Sequence, residues 1–443
     1  MKVLSIISAL LISCITFSSA YGADESSTKE LNVEGFKVIF KHSPKDVISV
    51  RLFIDGGTAN YPKNKEGIES LALHTAMEAG SKSKNKIAFN TAAEKIGADF
   101  SVDASYDFSS INMTCISLYW NESWNLFTDA IMNPSFNGDE FGLIKQQLIV
   151  AAKQNESEPD AHLRNLALSK VFEGKNYAKI ADGSPESLER LSLEATKAYY
   201  DKLIDKKKCF LVVVGNIKEA DLISKVKSSF TKLPVGTAAP KEKASWISEA
   251  DHYIEERDLA TNYIRGVFTG PHLASEEAVP MQIAMEILRD RYFKELRTKR
   301  SLSYSPQAFY ARGVINNPYN VIYISTLDPK QSMQVMVDEI NIIKKEGFLE
   351  KELNDQKQSF LTYHYLGLET SASQSRDLGL AEIAGDWKMV DHFTGNVNRT
   401  TIKDLNKVFD KYTNAIHWIY LGKREMVDAA DFVQTKSYKD KPY

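Results

Sequence analysis

In the first half of the chain, apolar residues alternate with polar ones, or run in short unbroken blocks, over 36–42, 48–55, 99–105, 108–118 and 210–214. Period two marks a half-buried strand, and a short apolar block bounded by turn residues marks a strand covered on both faces. Between these blocks apolar residues recur at three- and four-residue spacing over 65–79, 89–96, 120–132, 139–155, 158–171, 193–203 and 220–232, which predicts helices. Strands and helices mix without strict alternation, so the pattern favours α+β layers.

The pattern repeats. The strand 48–55 runs into Gly56-Gly57 and then a helix, and the strand 262–269 runs into Gly270-Pro271 and then a helix from about Glu276. Gly56 and Gly270 are 214 positions apart. Near the ends, Tyr200-Asp-Lys precedes the block closing at Gly215, and Phe409-Asp-Lys precedes the block closing at Gly422, 207 positions later. Two markers with nearly equal offsets argue for two similar units of roughly two hundred residues. Two Pro, a Gly and small polar residues make 233–246 a linker. The expected domains are then 23–232 and 247–443.

Composition narrows the class. The chain has 443 residues, of which 43% are hydrophobic and 26% charged, which are globular values. A net charge of −3 and no basic stripe with interleaved aromatics leave no nucleic-acid footprint. Residues 1–22 read as an export signal: Lys2, an apolar run to Ile15, then small residues with cleavage after Ala20 or Gly22. The run is too short to span a bilayer. Leu11-Ile-Ser-Cys14 also fits a lipoprotein box loosely, so Cys14 is a candidate lipid anchor. Export predicts a periplasmic location. Of the other cysteines, Cys115 and Cys209 sit in apolar strand blocks, either as two buried thiols or as a disulfide between neighbouring strands.

Local spacing supplies little conventional chemistry. None of the eight His forms HxH, HxxH or HxxxH, and no GxSxG or P-loop appears. His74 and Glu78 are an i, i+4 pair, either a remnant ligand pair or a hydrogen-bonded His. Four segments are distinctive together: Gly56-Gly57 and the turn at 61–65; the helix segment Gly67-Ile-Glu-Ser-Leu-Ala-Leu-His-Thr-Ala-Met-Glu-Ala-Gly-Ser81; the run from Phe141 to Pro159; and Leu296-Arg297 followed by Ser301-Leu-Ser-Tyr304. A fifth, Gly97 to Ser109, alternates small residues with larger ones.

Together these resemble the M16 (pitrilysin/insulinase) metallopeptidases, of M16B type, over about 31–427. The resemblance implies an α+β fold of two homologous α/β-sandwich halves, the M16 peptidase-like (LuxS/MPP-like) fold, facing each other as a clamp. In that family a helix carries His-x-x-Glu-His, two imidazoles gripping zinc and a Glu acting as general base. The matching positions here are Ser70, Leu73 and His74, and the third-ligand position, a Glu in the family, is Ala151. A hydroxyl, two hydrocarbon groups and one imidazole cannot hold Zn²⁺ in a usable site, so no cofactor is expected in this chain.

Two-subunit members carry zinc in one chain and an Arg/Tyr pair in the other, which contacts the substrate main chain and the oxyanion. Arg297 and Tyr304 match that pair, with Thr298 and Ser301 replacing the usual Glu and Gly. Their alternative reading is a surface ion pair and an interfacial Tyr. Phe100, Ser101, Val102, Asp103 and Ala104 match the edge strand onto which peptide adds as a further strand. Its alternative is an ordinary solvent-washed strand. The resemblance therefore implies the zinc-free subunit of a heteromeric zinc endopeptidase acting on peptides, with zinc in a partner bearing His-x-x-Glu-His. The rival readings are a self-sufficient metallopeptidase with ligands from elsewhere, and a peptide-binding or structural protein with no enzymatic role.

Overall fold

The computed structural model describes residues 28–438, so the export segment and Cys14 lie outside the described residues. Strands β1 (Lys29–Val33), β2 (Phe36–His42), β3 (Val47–Asp55), β4 (Asp99–Ala104), β5 (Phe108–Ile116) and β6 (Cys209–Gly215) form one sheet in the order β1-β2-β6-β3-β5-β4. Strands β7 (Asp251–Glu256), β8 (Asn262–Thr269), β9 (Gln307–Tyr310), β10 (Tyr319–Thr326) and β11 (His417–Gly422) form a second in the order β7-β11-β8-β10-β9. Only β2 with β6 and β7 with β11 run parallel. Burial follows position: β6, central and covered on both faces, is buried at every residue, whereas the edge strand β4 alternates exposed and half-buried residues.

The second sheet repeats the pairing of the first. Shifting β2 and β3 by 214 and β6 by 207 turns the observed pairs Lys37↔Phe210 and Ser49↔Val214 into Asp251↔His417 and Tyr263↔Leu421, both also observed. The offsets read from the glycine markers are thus offsets of register. Residues 234–250, between the sheets, carry neither helix nor strand.

Each sheet buries one face under helices of its own half. The first core gathers Leu73, Phe89, Trp124, Phe127, Val226 and Phe230 over β2, β3, β5 and β6. The other face of each sheet is covered by a helix from the opposite half. Helix Ser371–Ala384 and the turn after it set Leu378 and Trp387 on Ile39, Phe53, Phe210, Val212 and Val214. Helix Pro159–Val171 sets Leu163, Ala167 and Leu168 on Val267, Val321, Ile419 and Leu421. The approach of Ser371–Ala384 requires Gly379, because a Cβ there would lie 2.0 Å from the Phe53 ring. A polar tie runs in parallel. Asp107, in the β4–β5 turn and fully buried, accepts from Ile315 N (2.6 Å), Asn316 Nδ2 (2.7 Å) and the Tyr177 hydroxyl.

The structure adjusts the sequence-based elements at their ends. Strand β1 was not anticipated, since Lys29, Glu30 and Asn32 mask its pattern. The helix expected over 65–79 is regular only from Ile68, because Gly67 stands in the left-handed region (φ 83). The helix expected over 220–232 closes at Ser228 and gives way to a 3₁₀ turn. Cys115 and Cys209 are buried free thiols. They pair with Ile48 and Ile54, opposite ends of the intervening β3, so a disulfide between them is geometrically excluded. Among the described residues no helix is long and apolar enough to cross a membrane.

Candidate functional site

Helix Ile68–Glu78 is nearly all buried. Ser70 is fully buried and its hydroxyl donates to Asp182 Oδ1 at 3.1 Å. Leu73 is fully buried in the first core. His74 keeps a quarter of its side chain in solvent, and its Nδ1 lies 2.6 Å from Glu78 Oε1. That is the hydrogen-bonded His of the two readings. Ala151 is exposed on helix Gly138–Ser157. The donor set is therefore one hydroxyl already engaged, one imidazole already engaged, and two hydrocarbon groups. Zinc takes three or four N, S or O⁻ ligands, so these residues do not fit it. Among the described residues no group of three His, Cys, Asp or Glu is placed to hold a metal ion.

Beside this remnant stands a residue that the sequence analysis passed over. Glu69 is buried; its carboxylate accepts from Ser109 Oγ (2.5 Å), Tyr199 OH (2.5 Å) and Asn60 Nδ2 (3.1 Å). Burial raises its pKa from the ordinary 4.5 to about 7, against the opposing pull of those hydrogen bonds. Asn60 Nδ2 also donates to Asp55 O at 3.0 Å, which holds the amide with its nitrogen toward Glu69 and leaves Oδ1 buried without a partner. The signal in the sequence was an acidic residue between Ile68 and Leu71 in an apolar helix.

A stability consequence follows. Between pH 4.5 and 7 the folded chain holds a proton on Glu69 that the unfolded chain has released, so this group's contribution to stability falls as pH rises through that window. The full swing is about 3 kcal/mol. Urea unfolding of the wild type should show stability declining from pH 5 to pH 8, and Glu69→Gln should remove most of that decline. An unchanged slope in the variant would show that Glu69 is ionised throughout.

Strand β4 closes the first sheet, and no strand covers its outer edge among the described residues. Phe100 lies 5.5 Å from the Phe89 ring, and Phe100 and Val102 pack on the first core. Ser101 and Asp103 are exposed, with Asp103 Oδ2 accepting from Asn112 Nδ2 (2.8 Å) and standing 3.7 Å from Arg51 Nη1. Ala104, half-buried, ends the strand at the mouth of a cleft. Helix Ile68–Glu78 packs beside β4.

Arg297 and Tyr304 are in the second half. Helix Ala278–Tyr292 continues into a π-helical stretch, Phe293–Lys299, a form that recurs at functional sites. The Arg297 guanidinium stacks between two rings, 4.1 Å from that of Tyr304 and 4.6 Å from that of Phe293. Both rings are exposed, Tyr304 at 78%. The neighbouring Lys299 and Arg300 are both held by Glu295, whereas Arg297 has no carboxylate partner among the described residues. The surface ion pair is not what the structure shows. Ser301, in the place of the expected Gly, has φ 52, in the region that favours glycine, and its N–H closes the helix on Arg297 O at 3.1 Å. The matching exit of the first half uses Gly97 with φ 59. The structure thus joins Arg297 to Tyr304, while no hydrogen bond or ion pair among the described residues links them to His74 or β4.

Comparison with known proteins agrees with this layout. Residues 37–182 match the family described as Insulinase (Peptidase family M16), and residues 190–360 match Peptidase M16 inactive domain. A Helicobacter pylori protein described as non-peptidase homolog YmxG is 23% identical over 340 residues, covering 73% of this chain and 76% of the relative. A Bacillus subtilis protein described as uncharacterized zinc protease YmxG is 18% identical over 383 residues, covering 84% and 92%. The crystal structure of a peptidase M16 inactive domain from Pseudomonas fluorescens superposes with TM-score 0.82 at 19% identity, covering 93% of this chain and all of the other.

Proposed function

Because the chain belongs to the M16 (insulinase) peptidase family, we propose that it serves as the zinc-free Arg/Tyr subunit of a heteromeric zinc endopeptidase. In this reading the chain is exported to the periplasm. Its partner is a second M16 chain with an intact His-x-x-Glu-His, zinc resides in that partner, and the substrates are peptides enclosed between the two. The observation that carries the reading is the exposed stack of Arg297 on Tyr304, a guanidinium with free donors, in a chain whose zinc-site positions are poor in ligands. A guanidinium and a phenol presented together supply the donors that a developing oxyanion needs, and the residues at the zinc-site positions supply neither a ligand set nor the family's general base. The description of one relative as a non-peptidase homolog supports the same direction.

Within the complex, β4 would hold the substrate main chain by strand addition through Phe100 to Ala104. The test is purification from the native host followed by metal analysis. We expect an equimolar second chain carrying zinc, and neither zinc nor peptide cleavage in the isolated chain. An isolated chain that holds one zinc and cleaves peptides would sink the proposal and establish a self-sufficient metallopeptidase. The third reading, a peptide-binding protein without an enzymatic partner, draws on the free β4 edge alone and predicts no zinc-bearing companion.

A further inference from the structure

Helices Ala278–Tyr292 and Glu350–Gly367 stand in the second half where Ile68–Glu78 and Gly138–Ser157 stand in the first. One follows β8 as the other follows β3, and the second of each pair precedes the helix given to the opposite sheet. Between them lies a polar cavity of about 630 Å³, reaching Glu286, Gln356 and Tyr363. It opens into a cleft of about 950 Å³ between the halves. The two share Gln282, Arg312, His364, Arg376, Asp377 and Phe393, and the cleft ends at Asp103, Ala104 and Ser105, beside the free edge of β4.

The lining contains groups that the fold leaves unused. Gln282 is 5% exposed, and its Oε1 has no hydrogen-bond partner. An acceptor buried without a donor is costly, and here it faces both cavities. Arg312 has no carboxylate partner among the described residues; its guanidinium lies 5.8 Å from the Phe393 ring. Arg399 donates to Asn396 Oδ1 at 2.6 Å and has no carboxylate partner among the described residues. Of the five acids in the lining four are engaged: Asp103 with Arg51 and Asn112, Asp377 with Arg376 at 3.8 Å, Glu286 with Arg289, and Asp290 with Gln356 at 2.5 Å; the fifth, Glu276, is exposed to solvent. Phe53, Leu380 and Val390 give an apolar wall. The cleft thus presents unpaired cation, unpaired acceptor and apolar surface at the end of an open strand edge.

We propose that this cleft anchors the free carboxyl terminus of a peptide. Arg312 takes the α-carboxylate, for which its planar fork is suited. Gln282 Oε1 accepts a main-chain N–H, the last side chain lies against Phe393, and the preceding residues run out to β4. The inference rests on the reading that β4 receives peptide, and adds which end of the peptide is recognised and by which residues.

The test uses the isolated full chain and a hexapeptide of apolar residues, fluorescently labelled at its N-terminus, made once as the free acid and once as the C-terminal amide. The acid should bind about tenfold or more tightly than the amide, as expected for a charge-assisted pair. Arg312→Gln, at an exposed position, should bring the acid down to the affinity of the amide, leave the amide unchanged, and leave the melting temperature unchanged. Gln282→Leu should weaken both forms. Equal affinity of acid and amide, or no binding of either, overturns the proposal, as does free leucine binding as tightly as the hexapeptide. None of these results touches the subunit reading, whose failure shows instead as zinc and cleavage in the isolated chain.

Discussion

Asp107→Ala should lower the unfolding free energy by about 3–5 kcal/mol, the range for removing one member of a buried, charge-assisted network. The carboxylate is fully buried and gathers donors from both halves of the chain: Tyr177 from the first, the Ile315 N–H and the Asn316 amide from the second. Burial raises its pKa, and those hydrogen bonds oppose the rise, which is the mark of an acid sustained by its donors. Alanine leaves the Tyr177 hydroxyl and the Asn316 side-chain amide without their acceptor, while the Ile315 N–H keeps the Tyr177 oxygen at 3.1 Å, and each orphan costs about 1–3 kcal/mol. Asp107→Asn keeps one acceptor oxygen but turns an amide nitrogen toward donors, so an intermediate loss is expected. Equilibrium denaturation followed by circular dichroism measures it. Because Asp107 joins the two halves, the variant's transition should also broaden or split. A loss under about 1 kcal/mol with an unchanged transition would show that the exchanged helices alone hold the halves together.

If the chain acts as the proposed subunit, Arg297→Ala should reduce kcat/KM of the reconstituted two-chain complex about 100-fold, the range for deleting one oxyanion donor. The loss should fall on kcat more than on KM, because the donor matters most when charge develops on the carbonyl oxygen. Arg297→Lys should recover little, since an ammonium lacks the planar fork and stacks less well between Phe293 and Tyr304. Tyr304→Phe keeps the stacking ring and removes the hydroxyl, separating the two contributions. The stack is exposed, so folding stability should stay within about 1 kcal/mol of wild type. Unchanged kcat/KM in a complex that still assembles would remove Arg297 from the mechanism.

Much of this site was legible in the sequence, because its evidence is residue identity at fixed positions. Ser70, Leu73 and Ala151 deny a metal its ligands wherever the helices pack. Arg297 and Tyr304 were visible as a spaced pair, but their stacking was not, because it depends on the π-helical turn and on Ser301 at φ 52. Glu69 and Gln282 were overlooked for one reason. Each interrupts an apolar helix with a polar group, and pattern reading treats one such interruption as noise. Whether it is a satisfied acid, as at Glu69, or an orphaned acceptor, as at Gln282, depends on atoms from distant segments.

The chain by itself determined most strands and helices of the first half, the internal repeat and the side chains that stand at the zinc-site positions. These are set by local periodicity, turn residues and side-chain identity, which act over a few residues. The tertiary structure alone decided that each sheet is covered by a helix from the other half, that β3 separates Cys115 from Cys209, and that Asp107 spans the two halves. An amphipathic helix announces that it will bury a face, but hydrophobic burial is non-directional and does not name the surface that receives it. That choice falls to shape, as where Gly379 lets a helix lie against Phe53, and to the pairing of buried polar groups.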